Sequence, residues 1–468
     1  MPSGARLATL FSALFALLIL RQFYIAVVRG PAIAARSSNP RHALLAKDRG
    51  RILARDGTIL AQTVNDKRTY PLGSMLAQTV GYASPRYGTS GIEDAYDPAL
   101  TAPEGTGSVL AQASQIASAM SGKLSRARGE DVITTIDPAL QRVLYGLLSG
   151  HPRGAGVVLD PHTGAILAIA SVPAFDPNVL DSEFETLNHA VASPLLNRAT
   201  SGLYPPGSTF KIVTAAAALD SGSATMESQY SDPGYLIIGN FTLHNDESEV
   251  TGTENLTEAF ALSSNVDFGQ IALKLGTGSF YNYLDRWGIG GSLDFQLPAE
   301  RDRVPAQRSV YPGELAQMGF GQGALLMTPL HMALIGATIA NDGIEPRPFL
   351  VRGVVRAGSS LAGDAVSGAQ LANPISADTA HNVKNMMVAV VQHGTGTSAQ
   401  IPGVMVAGKT GTATNPVGAP HSWFVAFAPA DNPRFVVAVV VENAGYGAAV
   451  AAPIVRTVLR AALGGSQP

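Results

Sequence analysis

Cysteine is absent from this 468-residue chain, which excludes disulfides, thiolate-held metals and a thiol nucleophile. Charge is scarce: 14 % of residues carry it, the net charge is −3, and no basic patch offers a surface for nucleic acid. The excess of arginine over lysine, 25 of 32 basic residues, reflects a GC-rich genome rather than a binding function. Nine histidines are scattered with no His-x-x-x-His pair, so no metal site is expected. His393-Gly394-Thr395-Gly396-Thr397 is glycine-rich, but no Gly-Lys-Ser/Thr follows where a phosphate cradle needs one. No cofactor is implied.

One long apolar run stands out. Leu7 to Leu20 would span only about 21 Å as a helix, short of a bilayer core of roughly 30 Å. Extension to Val28 supplies enough length and takes in Arg21, whose side chain can reach the headgroups. A cleaved signal peptide is the rival, with Ala32-Ile33-Ala34 as its cleavage site, but that site lies well beyond Leu20. Span length decides for a retained anchor at 7–28. Arg29, Arg36 and Arg41 follow the span while only Arg6 precedes it, against the usual charge order. A natural start upstream of Met1, with a basic leader, would account for this.

After the anchor, 29–150 reads as a small, turn-rich mixed module, with Arg51-Ile52-Leu53 flanking the Asp56-Gly57 turn. From 151 to 468 strands and helices alternate. Gly154–Ala170 reads as two strands around the Asp160–Gly164 turn, and Thr209–Leu219 as an Ala-rich helix stopped by Ser221-Gly222. Trp423–Phe427 and Phe435–Glu442 are β-rich runs joined by a hairpin signal. The fold class is α/β in the α+β sense, an antiparallel sheet flanked by helices.

Three short stretches carry chemistry. Pro205-Pro206-Gly207 leads into Ser208-Thr209-Phe210-Lys211, where Ser208 and Lys211 share one helical face and the helix N-terminus favours a developing oxyanion. The chain's 35 serines and 7 lysines predict about half a Ser-x-x-Lys match by chance. The match at Ser208 is the only one. Lys211 acts as a base only if neutral, and burial or a second cation lowers an ammonium pKa; Lys409 is the candidate cation. Ser263-Ser264-Asn265 lies between helical patterns at Leu256–Leu262 and Val266–Leu275. Lys409-Thr410-Gly411-Thr412 follows a β-rich run, Val404–Ala407, and Gly411 would let a substrate backbone lie close. Singly, each has a plain structural reading: an N-cap with a lysine one turn on, a polar turn, a lysine at a strand end. Together, in this order, they supply a serine acyl-transfer site that needs neither His nor Asp.

The chain resembles the class B penicillin-binding proteins, monofunctional peptidoglycan transpeptidases, and is most similar to the short actinobacterial type. The resemblance rests on these motifs and on Arg49–Ala61, Gly91–Asp97, Thr134–Gln141 and Val158–Ala165. It implies a penicillin-binding fold on an N-terminal pedestal and one anchor helix, with the catalytic domain outside the membrane. It also implies roles: Ser208 as nucleophile, Lys211 as base, Ser263 as proton relay and Asn265 on a substrate amide. Lys409 and Thr410 would hold the substrate carboxylate, and Thr412 with Ser208 would form the oxyanion hole. The implied ligands are stem peptides (a D-Ala-D-Ala donor and an amine acceptor) and β-lactams. The implied membrane partner is a glycan polymerase of the shape–elongation–division–sporulation type. Two alternatives stay open: a carboxypeptidase or β-lactamase-like hydrolase, and a non-enzymatic scaffold or β-lactam sensor.

Overall fold

The computed structural model describes residues 14–18, 21, 49–101, 128–246, 249–356, 359 and 369–464. The expected anchor, 7–28, lies outside them apart from 14–18 and 21. No helix among the described residues is long and apolar enough to cross a membrane.

Five antiparallel strands occupy the centre in the order Ala407–Ala413, His421–Ala428, Phe435–Val441, Gly154–Leu159, Ile166–Val172. Successive side chains point to opposite faces. Trp423, Val425, Phe427, Val436, Ala438 and Val440 enter one core. Phe424, Ala426, Val437, Val439 and Val441 enter the other, with Leu144, Val455 and Leu459. Both faces are covered, so these strands read as unbroken apolar runs. The helix Pro329–Ala340, buried at every position, covers the first face. Pro138–Leu148 and Ala451–Ala462 cover the second. Pro138–Leu148 begins cleanly because the Asp137 carboxylate accepts from the N–H groups of Ala139 and Leu140.

A second sheet of five strands runs Val351–Val355, Asp131–Thr134, Ile52–Leu53, Ile59–Val64, Lys67–Thr69. Four of its strands precede the central sheet in sequence and Val351–Val355 comes from between that sheet's own strands, so the N-terminal module is tied in by backbone hydrogen bonds. The blocks Arg49–Ala61 and Gly91–Asp97 meet at a buried ion cluster. Arg49 donates to Glu93 and Asp97, both at 2.5 Å, and Arg68 donates to Glu93 at 2.6 Å. Glu93 is fully buried and its carboxylate is saturated by two guanidinium groups.

One local expectation shifts. The strand before the third motif begins at Ala407 and carries the motif within it, rather than ending at Ala407. Pro402 and Gly403 turn the chain, Val404 bridges back to Ile401, and pairing with His421–Ala428 begins only at Ala407.

Candidate active site

Pro205 and Pro206 deliver the chain into a short 3-10 turn, Gly207–Phe210, which the helix Lys211–Asp220 continues. Ser208 therefore sits just before the helix, not in it. Two glycines make this possible. Gly207 has φ +54° and donates to Gly321 O at 2.9 Å, while at Gly321 (φ +81°) a Cβ would stand 2.0 Å from Gly207 O. Trp423 Nε1 donates to Pro205 O at 3.1 Å, pinning the turn against the central sheet.

The second motif is made by two helix ends. Ser263 terminates Leu256–Leu262 in the left-handed conformation, φ 66° and ψ 38°, uncommon for a residue with a Cβ. Ser264 caps Asn265–Arg286 by accepting from Asp267 N at 3.0 Å. This sharp reversal brings Ser263 and Asn265 onto Lys211. Lys211 Nζ donates to Ser263 O at 2.5 Å and to Asn265 Oδ1 at 2.9 Å, and lies 3.2 Å from Ser263 Oγ.

The third motif lies on the strand Ala407–Ala413, whose outer side no strand pairs among the described residues. Lys409 Nζ donates to Ser263 Oγ at 2.8 Å, and Thr410 Oγ1 lies 2.6 Å from Thr395 Oγ1. Gly411 has a reason the sequence reading did not give. A Cβ there would come within 2.9 Å of Thr209 Cγ2 and 3.0 Å of Pro206 O, so its bareness admits the Gly207–Phe210 turn that carries Ser208.

Both lysines are fully buried. Burial pushes Lys211 down to about 7, with Asp246, Asp267 and Asp232 working in the opposite direction. Lys409 is pushed well below the usual lysine range by burial and by repulsion from Lys211. The expected influence of Lys409 on Lys211 is thus seen mainly in the other direction, with burial dominant for both. Aromatic faces soften the cost of whichever ammonium persists: Phe268 lies 5.4 Å from Lys211 Nζ and Phe260 lies 5.5 Å from Lys409 Nζ.

Ser208 stands where two clefts of about 240 Å³ each converge, and Thr412 and Asp246 line both. One cleft is walled by Ser263, Thr395, Thr410 and Tyr446, the other by Phe241, His244, Gln317 and Phe320. Sequence reasoning missed Asn245, whose Oδ1 accepts from Asn265 N at 2.8 Å and Val266 N at 3.0 Å. Nothing in the sequence marks it, since a lone Asn in a loop has no periodicity or spacing. Thr395 was signalled only as part of the glycine-rich segment.

Residues 154–460 match the penicillin binding protein transpeptidase domain, and 49–129 match the penicillin binding protein A dimerisation domain. Peptidoglycan D,D-transpeptidase PbpA of Mycobacterium tuberculosis is 35 % identical, with 98 % of each chain covered. The M. tuberculosis penicillin-binding protein A ceftriaxone acyl-enzyme superposes with a TM-score of 0.80 at 33 % identity, covering 90 % of this chain and 100 % of that one. The D,D-transpeptidase domain of a peptidoglycan glycosyltransferase from Eggerthella lenta gives 0.80 at 37 % identity, covering 90 % and 99 %. With the transpeptidase match running over most of the chain and the Ser208, Ser263 and Lys409 motifs converging in one cleft, the chain belongs to the penicillin-binding protein transpeptidase family.

Proposed function

We propose that this protein is a peptidoglycan D,D-transpeptidase that crosslinks stem peptides through a Ser208 acyl-enzyme and is a target of β-lactams. The observation that carries the reading is the Ser263 hydroxyl between Lys211 and Lys409, in a cleft that opens onto Ser208.

Neutral Lys211 has two hydrogens, which its contacts with Ser263 O and Asn265 Oδ1 use, leaving its lone pair for a hydroxyl proton. When the donor peptide binds, its terminal carboxylate lies by Lys409 and Thr410 and draws the shared proton onto Lys409. Lys211 then accepts the Ser208 proton as Oγ attacks the penultimate D-Ala carbonyl, and the N–H groups of Ser208 and Thr412 receive the oxyanion. Collapse of the tetrahedral intermediate breaks the peptide bond. The proton passes from Lys211 through Ser263 to the departing D-Ala nitrogen. An acceptor amine attacks the ester along the reverse proton route, forming the crosslink and restoring Ser208. A two-substrate reaction suits two clefts that meet at one nucleophile.

Membrane attachment through 7–28 is part of the proposal. Residues 14–18 are helical, with Leu14, Phe15, Leu17 and Leu18 each more than half exposed. A glycan polymerase in the membrane is the partner proposed, on the family resemblance. Intact-mass spectrometry of the protein over time after penicillin exposure tests the chemistry. One persistent adduct mapping to Ser208 supports it, and rapid loss of the adduct points to a hydrolase. Absence of an adduct favours the scaffold reading, and products formed with and without an acceptor amine separate transfer from hydrolysis.

A further inference from the structure

Beneath the second motif three buried carboxyl groups, Asp232, Glu254 and Asp267, bring oxygens within 4.8 Å of one another. Asp232 ends the strand Gln229–Asp232, Glu254 belongs to its partner strand Gly252–Asn255, and Asp267 lies in the first turn of Asn265–Arg286. Among the described residues none of the three is held in an ion pair. Lys211, the cation whose field reaches Asp232 and Asp267, is itself pushed toward neutrality by burial, and three adjacent buried anions against it are untenable.

The hydrogen bonds locate the remedy. Asp232 meets donors only. Its Oδ1 accepts from Gly234 N at 2.7 Å, and its Oδ2 from Asn245 Nδ2 at 2.6 Å, Ser264 Oγ at 2.7 Å and Thr251 Oγ1 at 2.9 Å. That is the surrounding of an anion. Thr251 Oγ1, however, also lies 2.8 Å from Glu254 Oε1, and a hydroxyl has one hydrogen to give. Asp267 Oδ2 is buried with no hydrogen-bond partner at all.

We infer that the Glu254–Asp267 pair holds at least one proton at neutral pH, and that this proton keeps Asp232 as the anion that positions Ser264 and Asn245, and through them Ser263 and Asn265. Asn245, fixed by Asp232 at one end, accepts the first two N–H groups of the helix Asn265–Arg286 at the other. Asp232, Glu254 and Asp267 are thus positioning residues, since none touches the reacting atoms. The charge environment agrees. Burial, with Glu254 adding to it, pushes Asp267 up to about 8, while Asp232 is held below the usual range because its donors outweigh burial. The groups facing the pair are Asp232 and Tyr230 from the neighbouring strand, Thr251 before Glu254, Ser264 and Gln270 on the chain of the following helix, and Lys211 on the cleft side.

Two measurements on the full chain test this, with Asp267→Asn, Glu254→Gln and Asp232→Asn as variants. Infrared spectra at neutral pH should show a protonated-carboxyl C=O stretch in the wild type that Asp267→Asn and Glu254→Gln weaken or abolish. Penicillin acylation of the wild type should fall about threefold or more between pH 7.5 and 9, and Asp267→Asn should flatten that limb. Asp232→Asn should lower acylation about tenfold at every pH. No protonated-carboxyl band, an unchanged alkaline limb in Asp267→Asn, or a melting temperature raised by Ca²⁺, Mg²⁺ or Zn²⁺ in the wild type but not in Asp267→Asn would overturn the inference. The infrared result does not depend on the acyl-transfer reading. A band component that Asp267→Asn removes, seen without any acylation, would refute that reading and leave the proton assignment standing, since the Glu345 carboxyl contributes a component that this variant does not touch.

Discussion

Lys409 Nζ donates to Ser263 Oγ at 2.8 Å, although 146 residues separate them, and the same oxygen lies 3.2 Å from Lys211 Nζ. A hydroxyl placed between two amines can accept from one and donate to the other, so a proton can cross the site without either lysine moving. No hydrogen bond joins Ser208 to Lys211 among the described residues, so the Ser263 hydroxyl is the standing connection between the two lysines.

Removing the base should be severe. Lys211→Ala is expected to slow penicillin acylation by about 10³-fold or more, with Lys211→Arg no better because a guanidinium does not deprotonate. Stopped-flow or gel-based acylation kinetics measure this, and retention of a wild-type rate would remove Lys211 from the mechanism.

The pH dependence has a defined sign. Lys211 must be neutral to accept a proton, and burial sets its pKa at about 7. Acylation should drop about tenfold per pH unit below pH 7 and reach its maximum just above it, before the alkaline fall that loss of the Glu254–Asp267 proton imposes. A rate that rises on acidification below pH 7 would contradict the assignment.

The outline of this site was legible in the sequence because its motifs are local. Ser208 and Lys211 are one turn apart, and the Ser263–Asn265 and Lys409–Thr412 groups are each contiguous. The apolar runs likewise forecast the central strands, since a strand buried on both faces needs no polar alternation. Asn245, Thr395 and Asp232 were not legible. Asn245 and Thr395 reach the cleft from separate loops and Asp232 lies beneath it at the end of a strand, and their roles exist only after the chain reverses at Ser263. The meeting of Arg49 with Glu93 was hidden for the same reason: each residue lay in a recognisable block, but nothing in the spacing said the blocks touch.

Breaking that meeting should be costly and remote from catalysis. Arg49→Met leaves Glu93 buried with only Arg68 as partner and should lower unfolding stability by about 3 kcal/mol. Acylation measured on the folded protein should stay near the wild-type rate. Urea unfolding paired with acylation kinetics checks both halves.

Gly321 offers a tighter link between backbone and chemistry. Gly321→Ala puts a Cβ at φ +81° and 2.0 Å from Gly207 O, so at least about 2 kcal/mol of stability should be lost. The Ser208 turn must shift to relieve the clash, and acylation should slow with it. Full activity would mean the turn is more compliant than its contacts suggest.

His331 supplies a stability prediction away from the cleft. Its ring is hydrogen-bonded to Asp302 and, at 3.0 Å, to Trp287 O; burial opposes the charge, but Asp302 prevails and lifts the imidazole to about 9. Its unfolded value is about 6.5, so the contribution is complete below pH 6.5 and lost as pH rises through 9, on the order of 3 kcal/mol. The neighbouring Glu345, pushed up to about 7 by burial, produces a separate decline at lower pH. Urea unfolding between pH 7.5 and 10 should therefore show a slope that His331→Gln lacks.

The strand Asp131–Thr134 lies between Ile52–Leu53 on one side and Val351–Val355 on the other. A version shortened to begin after residue 128 would keep that strand and strip away the neighbour, leaving a row of bare N–H and C=O groups open to any passing chain. Such a fragment would be sticky before it was inactive. Its failure would show up as precipitation or mispaired dimers, even with Ser208 and its lysines untouched.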